Sequence, residues 1–256
     1  MLMASWNING LRAVCRNGFI DWLEDCDYDL VFLQETKASP EQVPKELEQL
    51  SWGSALQSST VKKGYSGVAV FWRDEEPDEI YLGLGIERFD VEGRAIGVRY
   101  GDLVVYGCYF PNGGRGPERV AYKLAFYEAM LARMNELRAQ GREVVVCGDF
   151  NIAHHPIDLS RPRESASTSG FLPRERAMLD RFVAQGWVDT FRLKHEDEAE
   201  RYSWWDYRTR GRERNVGWRI DYFFADRALA DRIVVADILQ DEYGSDHCPV
   251  ILELAD

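Results

Sequence analysis

The stretch LVVYGCYFPNGGRGPERVAYKLAFYEAMLARMNELRAQGREVVVCGDF, residues 103 to 150, changes its apolar rhythm twice. It opens on the continuous run LVVYGCYF, passes into Val120, Leu124, Tyr127, Leu131 and Met134 at helical spacing, and closes on VVVCGDF. The spacing predicts a helix over 117–139, with Pro117 where a first turn tolerates the missing N–H and Gly141 just past the end. The two flanking runs read as strands.

Runs of the same kind recur outward in both directions: LMASWNI from 2, LVFLQ from 30, GVAVFW from 67, AIGVRY from 95, IDYFFA from 220, IVVADI from 233 and VILEL from 250. Further helices are expected over 17–25, 40–49 and 173–185, the last opened by Pro173. Strands outnumber helices and do not alternate strictly with them. That disfavours a doubly wound sheet and favours an α/β sandwich, two packed sheets with helices outside. At 256 residues, without a short repeat, low-complexity tract or long linker, residues 1–256 are expected to form a single domain.

Composition narrows the function classes. Hydrophobic residues make up 45% and charged residues 29%, which suits a soluble globular chain and not a disordered one. No apolar run is long enough to span a membrane, and the opening MLMASWNI lacks the basic start and apolar core of a signal peptide. No membrane association is expected, and the location is read as intracellular: cytoplasmic with nucleoid DNA in a prokaryote, nuclear in a eukaryote. The five cysteines are odd in number, widely spaced and without a CxxC pair, so they read as buried thiols. A net charge of −12 opposes nonspecific contact with nucleic acid. Residues 208 to 219, RTRGRERNVGWR, nevertheless carry +4, with five arginines against one glutamate. Taken alone, such a run reads first as a solvated loop, with a phosphate-facing patch as the alternative.

The residues that follow the apolar runs carry chemistry. Asn7 ends the first, Gln34 and Glu35 the second, Tyr109 follows LVVYGC, and Asp149 and Asn151 follow VVVCG. If these ends share one sheet edge, their side chains converge on one cleft. Taken singly, each serves as well as a turn or helix cap. Asp221 differs, because it interrupts the apolar run RIDYFF and a buried carboxylate needs a partner. His247, in GSDHCPV beside Asp246, is the candidate, although SDH alone also reads as a turn before a strand. The carboxylates Glu35, Asp149 and Asp246, with the amides of Asn7, Asn9 and Asn151, form an oxygen-rich donor set that suits magnesium. Zinc would want closely spaced His or Cys, and the adjacent His154 and His155 cannot both turn to one metal from an extended backbone. G-x-S-x-G, Walker-type and G-x-G-x-x-G motifs are absent, which leaves metal-assisted attack of water on a phosphodiester.

SWNINGLRA at 5–13, LQETKA at 33–38, KGYSGVAV at 63–70, GDFNIAH at 148–154, NVGWRIDYF at 215–223 and SDHCPV at 245–250 resemble, in order, the motifs of the exonuclease III family of apurinic/apyrimidinic endonucleases, within the endonuclease/exonuclease/phosphatase superfamily. The resemblance runs from residue 5 to residue 250. It implies a four-layered α/β sandwich of two packed mixed β-sheets flanked by helices. It implies magnesium-dependent incision 5′ to abasic sites in duplex DNA, with 3′-to-5′ exonuclease and 3′-phosphodiesterase/phosphatase activity and manganese as a substitute ion. The partner implied is double-stranded DNA with abasic or 3′-blocked sites, and the protein is expected to act as a monomer.

The resemblance also assigns residues. Asn7, Glu35, Asp149, Asn151, Asp246 and His247 lie on or beside the metal, with Glu35 the principal ligand. Asp149 positions or deprotonates the attacking water, Asn151 orients it, Asp221 holds His247 against the phosphate, and Tyr109 hydrogen-bonds the phosphate or the leaving oxygen. The choice of base between Asp149 and His247 stays open. Arg12, Lys37, Gly64 and Tyr65 match phosphate contacts, and Arg115 and Arg208 match side chains inserted at the lesion. Trp204, Trp218 and Ile220 match the apolar pocket for a flipped-out abasic sugar. Two departures stand out: Asn9 occupies a position where many relatives carry Asp, and RESASTS at 163–169 lacks the asparagines that several relatives place before the matching Gly170 and Phe171. The competing readings are a superfamily enzyme for a small or lipid phosphoester, and a catalytically inactive DNA-binding relative.

Overall fold

A computed structural model describes residues 1–255. In chain order its strands are β1 (Leu2–Asn7), β2 (Leu30–Gln34), β3 (Trp52–Gln57), β4 (Val68–Arg73), β5 (Glu79–Leu82), β6 (Ala95–Tyr100) and β7 (Leu103–Tyr109). They continue with β8 (Glu143–Asp149), β9 (Trp187–Asp189), β10 (Trp204–Trp205), β11 (Gly217–Trp218), β12 (Asp221–Asp226), β13 (Ile233–Ile238) and β14 (Val250–Leu254). One six-stranded sheet has the order β13-β14-β1-β2-β4-β3, the other β5-β6-β7-β8-β12-β9, and β10 and β11 form a separate two-stranded ribbon. Both large sheets are mixed, since β1–β2 and β7–β8 pair in parallel and their other neighbours antiparallel. The sandwich expected from the strand pattern is therefore the fold.

Its layers follow from the two-residue period of a strand. In β7, Leu103 and Val105 face Phe32, Val70, Val145 and Phe223 between the sheets, while Val104, Tyr106 and Cys108 face Phe126, Met130 and Met134 of the helix Pro117–Ala139. A strand covered on both sides has no polar face to show, which is why LVVYGC is unbroken. The helical turns of residues 11–25 cover the opposite sheet through Leu11, Val14, Phe19 and Leu23.

Each of the nine apolar runs becomes a strand. Of the five strands the pattern missed, β3, β5 and β9 lie at sheet edges, where side chains are half-solvated or the strand is short, and β10 and β11 are only two residues each. Two helix expectations are corrected. Over 40–49 there are only the short turns Pro40–Gln42 and Leu47–Gln49, because Pro44 drives Val43 into an extended conformation. Over 17–25 the helix is kinked at Asn17 and Gly18, the latter at φ 95°. The cysteines are all free, but only Cys108, Cys147 and Cys248 are buried; Cys15 and Cys26 are partly exposed, contrary to expectation. No helix among the described residues is long and apolar enough to cross a membrane.

Candidate active site

Pairing puts Asn7 beside Gln34, Tyr109 beside Asp149, and Asp149 beside Asp221. The ends of β1, β2, β7 and β8 and the start of β12 thus share one edge of the sandwich. The loop carrying Asp246 and His247 is fastened there, since Trp6 Nε1 donates to the His247 carbonyl at 3.1 Å and Ser245 Oγ to the Asn7 carbonyl at 2.7 Å. The result is a cleft of about 210 Å³ lined by Glu35, Tyr109, Asp149, Asn151, Asp246 and His247, with Trp204, Trp218 and Ile220 on one wall. Gly148 lets β8 reach it. At φ 133° its backbone passes so close to β7 that a Cβ would lie 1.9 Å from the Cys108 carbonyl oxygen.

The backbone around the cleft is strained. Asn9, Glu35, Lys37 and Asn151 all adopt left-handed φ between 49° and 54°, a conformation that costs non-glycine residues on the order of 1 kcal/mol or more each. Dense hydrogen bonding holds it. Asp149 accepts from Asn7 Nδ2 at 2.9 Å and from the Asn151 N–H at 2.8 Å, and Asn7 Nδ2 also donates to Glu35 Oε1 at 3.1 Å.

Asp221 and His247 form the buried pair that the sequence required, with Nδ1 and Oδ2 2.8 Å apart. The imidazole Nε2 then faces Asp149 Oδ2 at 3.9 Å. Burial works against a charged imidazole, but the adjoining carboxylates of Asp221, Asp149 and Asp246 outweigh it and push His247 up to about 10. For Asp149 burial dominates, and with the help of Asp221 and Glu35 it raises the carboxyl to about 7 despite the opposing His247 charge. The carboxylates thus favour the protonated imidazole, and burial favours the protonated Asp149 carboxyl. Burial also lifts the Tyr109 hydroxyl well above its ordinary value, with Glu35 adding to the effect, so the phenol stays a neutral donor.

Asp149, Asp221 and His247 lie close enough together to hold a metal ion. Asp221 and His247 are also bound to each other, and Glu35 could offer a further ligand. Burial pushes the Glu35 carboxyl upward, yet Lys37 and the hydrogen bond from Asn7 bring it below its ordinary value. Lys37 Nζ sits 2.7 Å from Glu35 Oε2, a cation already drawn to that oxygen. Carboxylates at Glu35 and Asp246 with amides at Asn7 and Asn9 make a hard, thiolate-free donor set, and it fits a divalent cation of the magnesium kind.

Among the outer positions, Arg12, Gly64, Arg115 and Arg208 are exposed and free to meet a large partner. Tyr65 is already engaged, because its hydroxyl accepts from Arg94 at 2.7 Å and from Arg119 at 2.8 Å. The Arg-rich run 208–219 is not one basic face. Arg219 is fully buried between Asp158 and Asp189, and Arg212 lies over Trp205 and Tyr243 while donating to the carbonyls of Gln240 and Glu242. Cations near the cleft come also from Arg94, Arg115 and Arg119, which line a second hollow sharing Tyr109 and Asn112 with it. His154 and His155 lie side by side. Their rings stack at 3.8 Å, with His154 Nε2 bound to Asp180.

Two contributors were missed. Asn112 donates from Nδ2 to Asn151 Oδ1 at 2.9 Å and lines the cleft; it follows β7 as Asn151 follows β8, so the strand-end rule could have found it. Ser203 donates to Asp221 Oδ2 at 2.7 Å and accepts the N–H groups of Ile220 and Asp221. Nothing local in the sequence marks it.

Comparison with known proteins agrees with this geometry. Residues 4–247 match the Endonuclease/Exonuclease/phosphatase family. The chain is 44% identical over 255 residues to an exodeoxyribonuclease of Bacillus subtilis, covering 98% of both chains. It is 33% identical to a DNA-(apurinic or apyrimidinic site) endonuclease of Dictyostelium discoideum, covering 98% of this chain and 69% of that one. A 3′-5′ exonuclease from Neisseria meningitidis superposes over 100% of both chains with a TM-score of 0.91 and 27% identity.

Proposed function

The chain belongs to the endonuclease/exonuclease/phosphatase family, and from that premise we propose that it is a DNA repair hydrolase that incises duplex DNA on the 5′ side of abasic sites and acts on 3′ ends as a 3′-to-5′ exonuclease and 3′-phosphodiesterase/phosphatase. The observation that carries the reading is the adjacency of two features: the buried Asp149–His247–Asp221 cluster and the wall of Trp204, Trp218 and Ile220. The first suits phosphodiester hydrolysis. The second suits a sugar that has left the helical stack without its base.

Asp149, held by hydrogen bonds from Asn7 and Asn151, takes the proton from the attacking water, while the carboxylates around His247 favour its protonated form. The water oxygen bonds to phosphorus, the bond to the 3′ oxygen breaks, and that oxygen takes a proton from solvent to leave as a 3′-hydroxyl while Asp149 returns its own proton to solvent. The cationic His247, held by Asp221, presents Nε2–H to the phosphate and balances its growing charge. The neutral Tyr109 hydroxyl offers a hydrogen bond to the phosphate or leaving oxygen. Magnesium held by Glu35, with Asn7 and Asp246 beside it, supplies Lewis-acid stabilisation of the phosphate when bound, and manganese fits the same donors. Around the cleft, the exposed Arg12 and Gly64 contact backbone phosphates, Lys37 and Tyr65 do so once released from Glu35 and from Arg94 and Arg119, and Arg115 and Arg208 enter the duplex at the lesion.

The test is incision of end-labelled duplexes carrying one abasic site, one 3′-phosphate or no lesion, after chelation and again with magnesium restored. The expected result is cleavage only with metal, fastest beside the abasic site. Full activity in chelator, or equal rates with and without the lesion, would overturn the reading.

A further inference from the structure

Lys123 lies in the middle of the helix Pro117–Ala139, on its buried face, with none of its side chain exposed. Its ammonium donates to the main-chain carbonyl of Asn151 at 2.8 Å and to Glu175 Oε1 at 2.7 Å. Glu175, equally buried, sits in the first turn of the helix Pro173–Ala184. Its Oε1 also accepts the Ser169 hydroxyl at 2.8 Å, and its Oε2 accepts the N–H groups of Gly170 at 2.6 Å and Leu172 at 3.2 Å. Neither charged residue reaches the cleft. Their partners do, since Asn151, Ser169 and Gly170 all line it.

The clearance at this wall is small. Gly170 has φ 100°, and a Cβ on it would stand 3.1 Å from the Trp218 ring and 3.2 Å from the Asn151 carbonyl oxygen. Its own carbonyl takes the N–H of Ala153 at 2.9 Å. A shift of the loop by a few tenths of an ångström would change the space in front of Trp218. The loop is also short of long polar side chains, reading SASTSG from 165 to 170, so its main contribution is where its backbone stands. A buried ion pair is a poor source of stability compared with an apolar pair of the same volume, which makes fixing geometry the more natural role for this one.

We propose that Lys123 and Glu175 are positioning residues that clamp the 168–172 loop against Asn151, set the width of the pocket before Trp218, and thereby govern discrimination between abasic and base-bearing nucleotides. The proposal rests on the abasic-site reading above. It assigns selectivity to two residues that touch neither the DNA nor the reacting atoms.

The decisive experiment compares Lys123→Met, Glu175→Gln and the paired variant with the wild type. It reads thermal unfolding and the ratio of kcat/KM on an abasic duplex to that on the same duplex with the base present. Each single change leaves a buried charge or donor set unmatched and should lower the melting temperature, whereas the paired, uncharged variant should regain much of the loss. Discrimination should not return with it. The ratio is expected to stay about 10- to 100-fold below wild type, the scale of a remote misplacement of an active-site wall. If the paired variant regains both stability and discrimination, the pair is merely structural and the clamp is disproved. Should the paired variant not fold, Ser169→Ala leaves the ion pair intact and removes one hydroxyl held by Glu175. A reduced ratio then supports the clamp and an unchanged one overturns it. A wild type without any preference for the abasic site overturns the abasic-site reading itself, a result distinct from preference retained in the paired variant.

Discussion

The catalytic cleft and the Arg-rich run 208–219 organise charge in opposite ways. In the cleft, Asn7, Glu35, Asp149, Asp221 and His247 come from five separate parts of the chain and converge, because parallel and antiparallel pairing bring their strand ends to one edge. In the run, neighbours in sequence separate. Arg208 and Arg210 point to solvent, Arg212 braces Trp205 and Tyr243, and Arg219 is sealed between Asp158 and Asp189. Charge counted along a sequence is therefore a poor measure of charge presented at a surface, whereas polar residues at strand ends are a good guide to a cleft.

The sharpest attempt to break that contrast is at the dyad. His247→Ala and Asp221→Ala should each lower kcat by about 10²- to 10⁴-fold, the usual range for general acid–base groups. Together they should do little more than the worse of the two, because they act as one unit. Single-turnover rates on an abasic duplex check this, and losses that multiply would separate the residues.

Arg219→Ala attacks the other side of the comparison. Removing the guanidinium leaves Asp189 buried without its ion-pair partner while Asp158 keeps Arg192, and about 3 kcal/mol of stability should be lost. Urea unfolding reads the loss. Were Arg219 a phosphate contact instead, stability would hold and DNA affinity would fall.

Proton exchange at the cleft gives a third measurement. Asp149 must be deprotonated to act as base, so kcat/KM should rise with pH through a limb at or below about 7, a bound cation drawing it downward. His247 must stay protonated, so the rate should fall as pH passes about 10. Loss of the alkaline limb in Asp221→Asn would tie it to the dyad. An unchanged limb in that variant would assign it elsewhere.

The smallest effect is expected from exposed charge. If Arg210 touches phosphate, Arg210→Ala should flatten the slope of log affinity against log salt by about one unit and leave lesion preference intact. Arg212→Ala should do the reverse, lowering stability while the slope holds, since its guanidinium is spent on carbonyls and aromatic rings. Equal slope changes from both would restore the view of the run as one basic face.

Legibility along the chain followed burial. Most of the nine visible strands are buried on both sides, which leaves an unbroken apolar run; the edge strand β13 was visible through its own apolar residues, while the edge strands β3, β5 and β9 and the two-residue β10 and β11 were not, since solvent or shortness removes the pattern. Glu35, Asp149, Asp221 and His247 were legible for a related reason: a carboxylate or imidazole next to apolar runs needs a partner of matching chemistry, and few were available. Ser203 and the Lys123–Glu175 pair were not legible, because each joins elements with no sequence relation to one another.

The residue pattern by itself determined the layered sandwich, the strand-end cluster and the type of donor set, because local apolar period and residue chemistry suffice for those. Tertiary structure alone decided which arginines face outward, how Asp221 is braced and how the pocket wall at Gly170 and Trp218 is held, because each depends on which distant side chains share a buried volume.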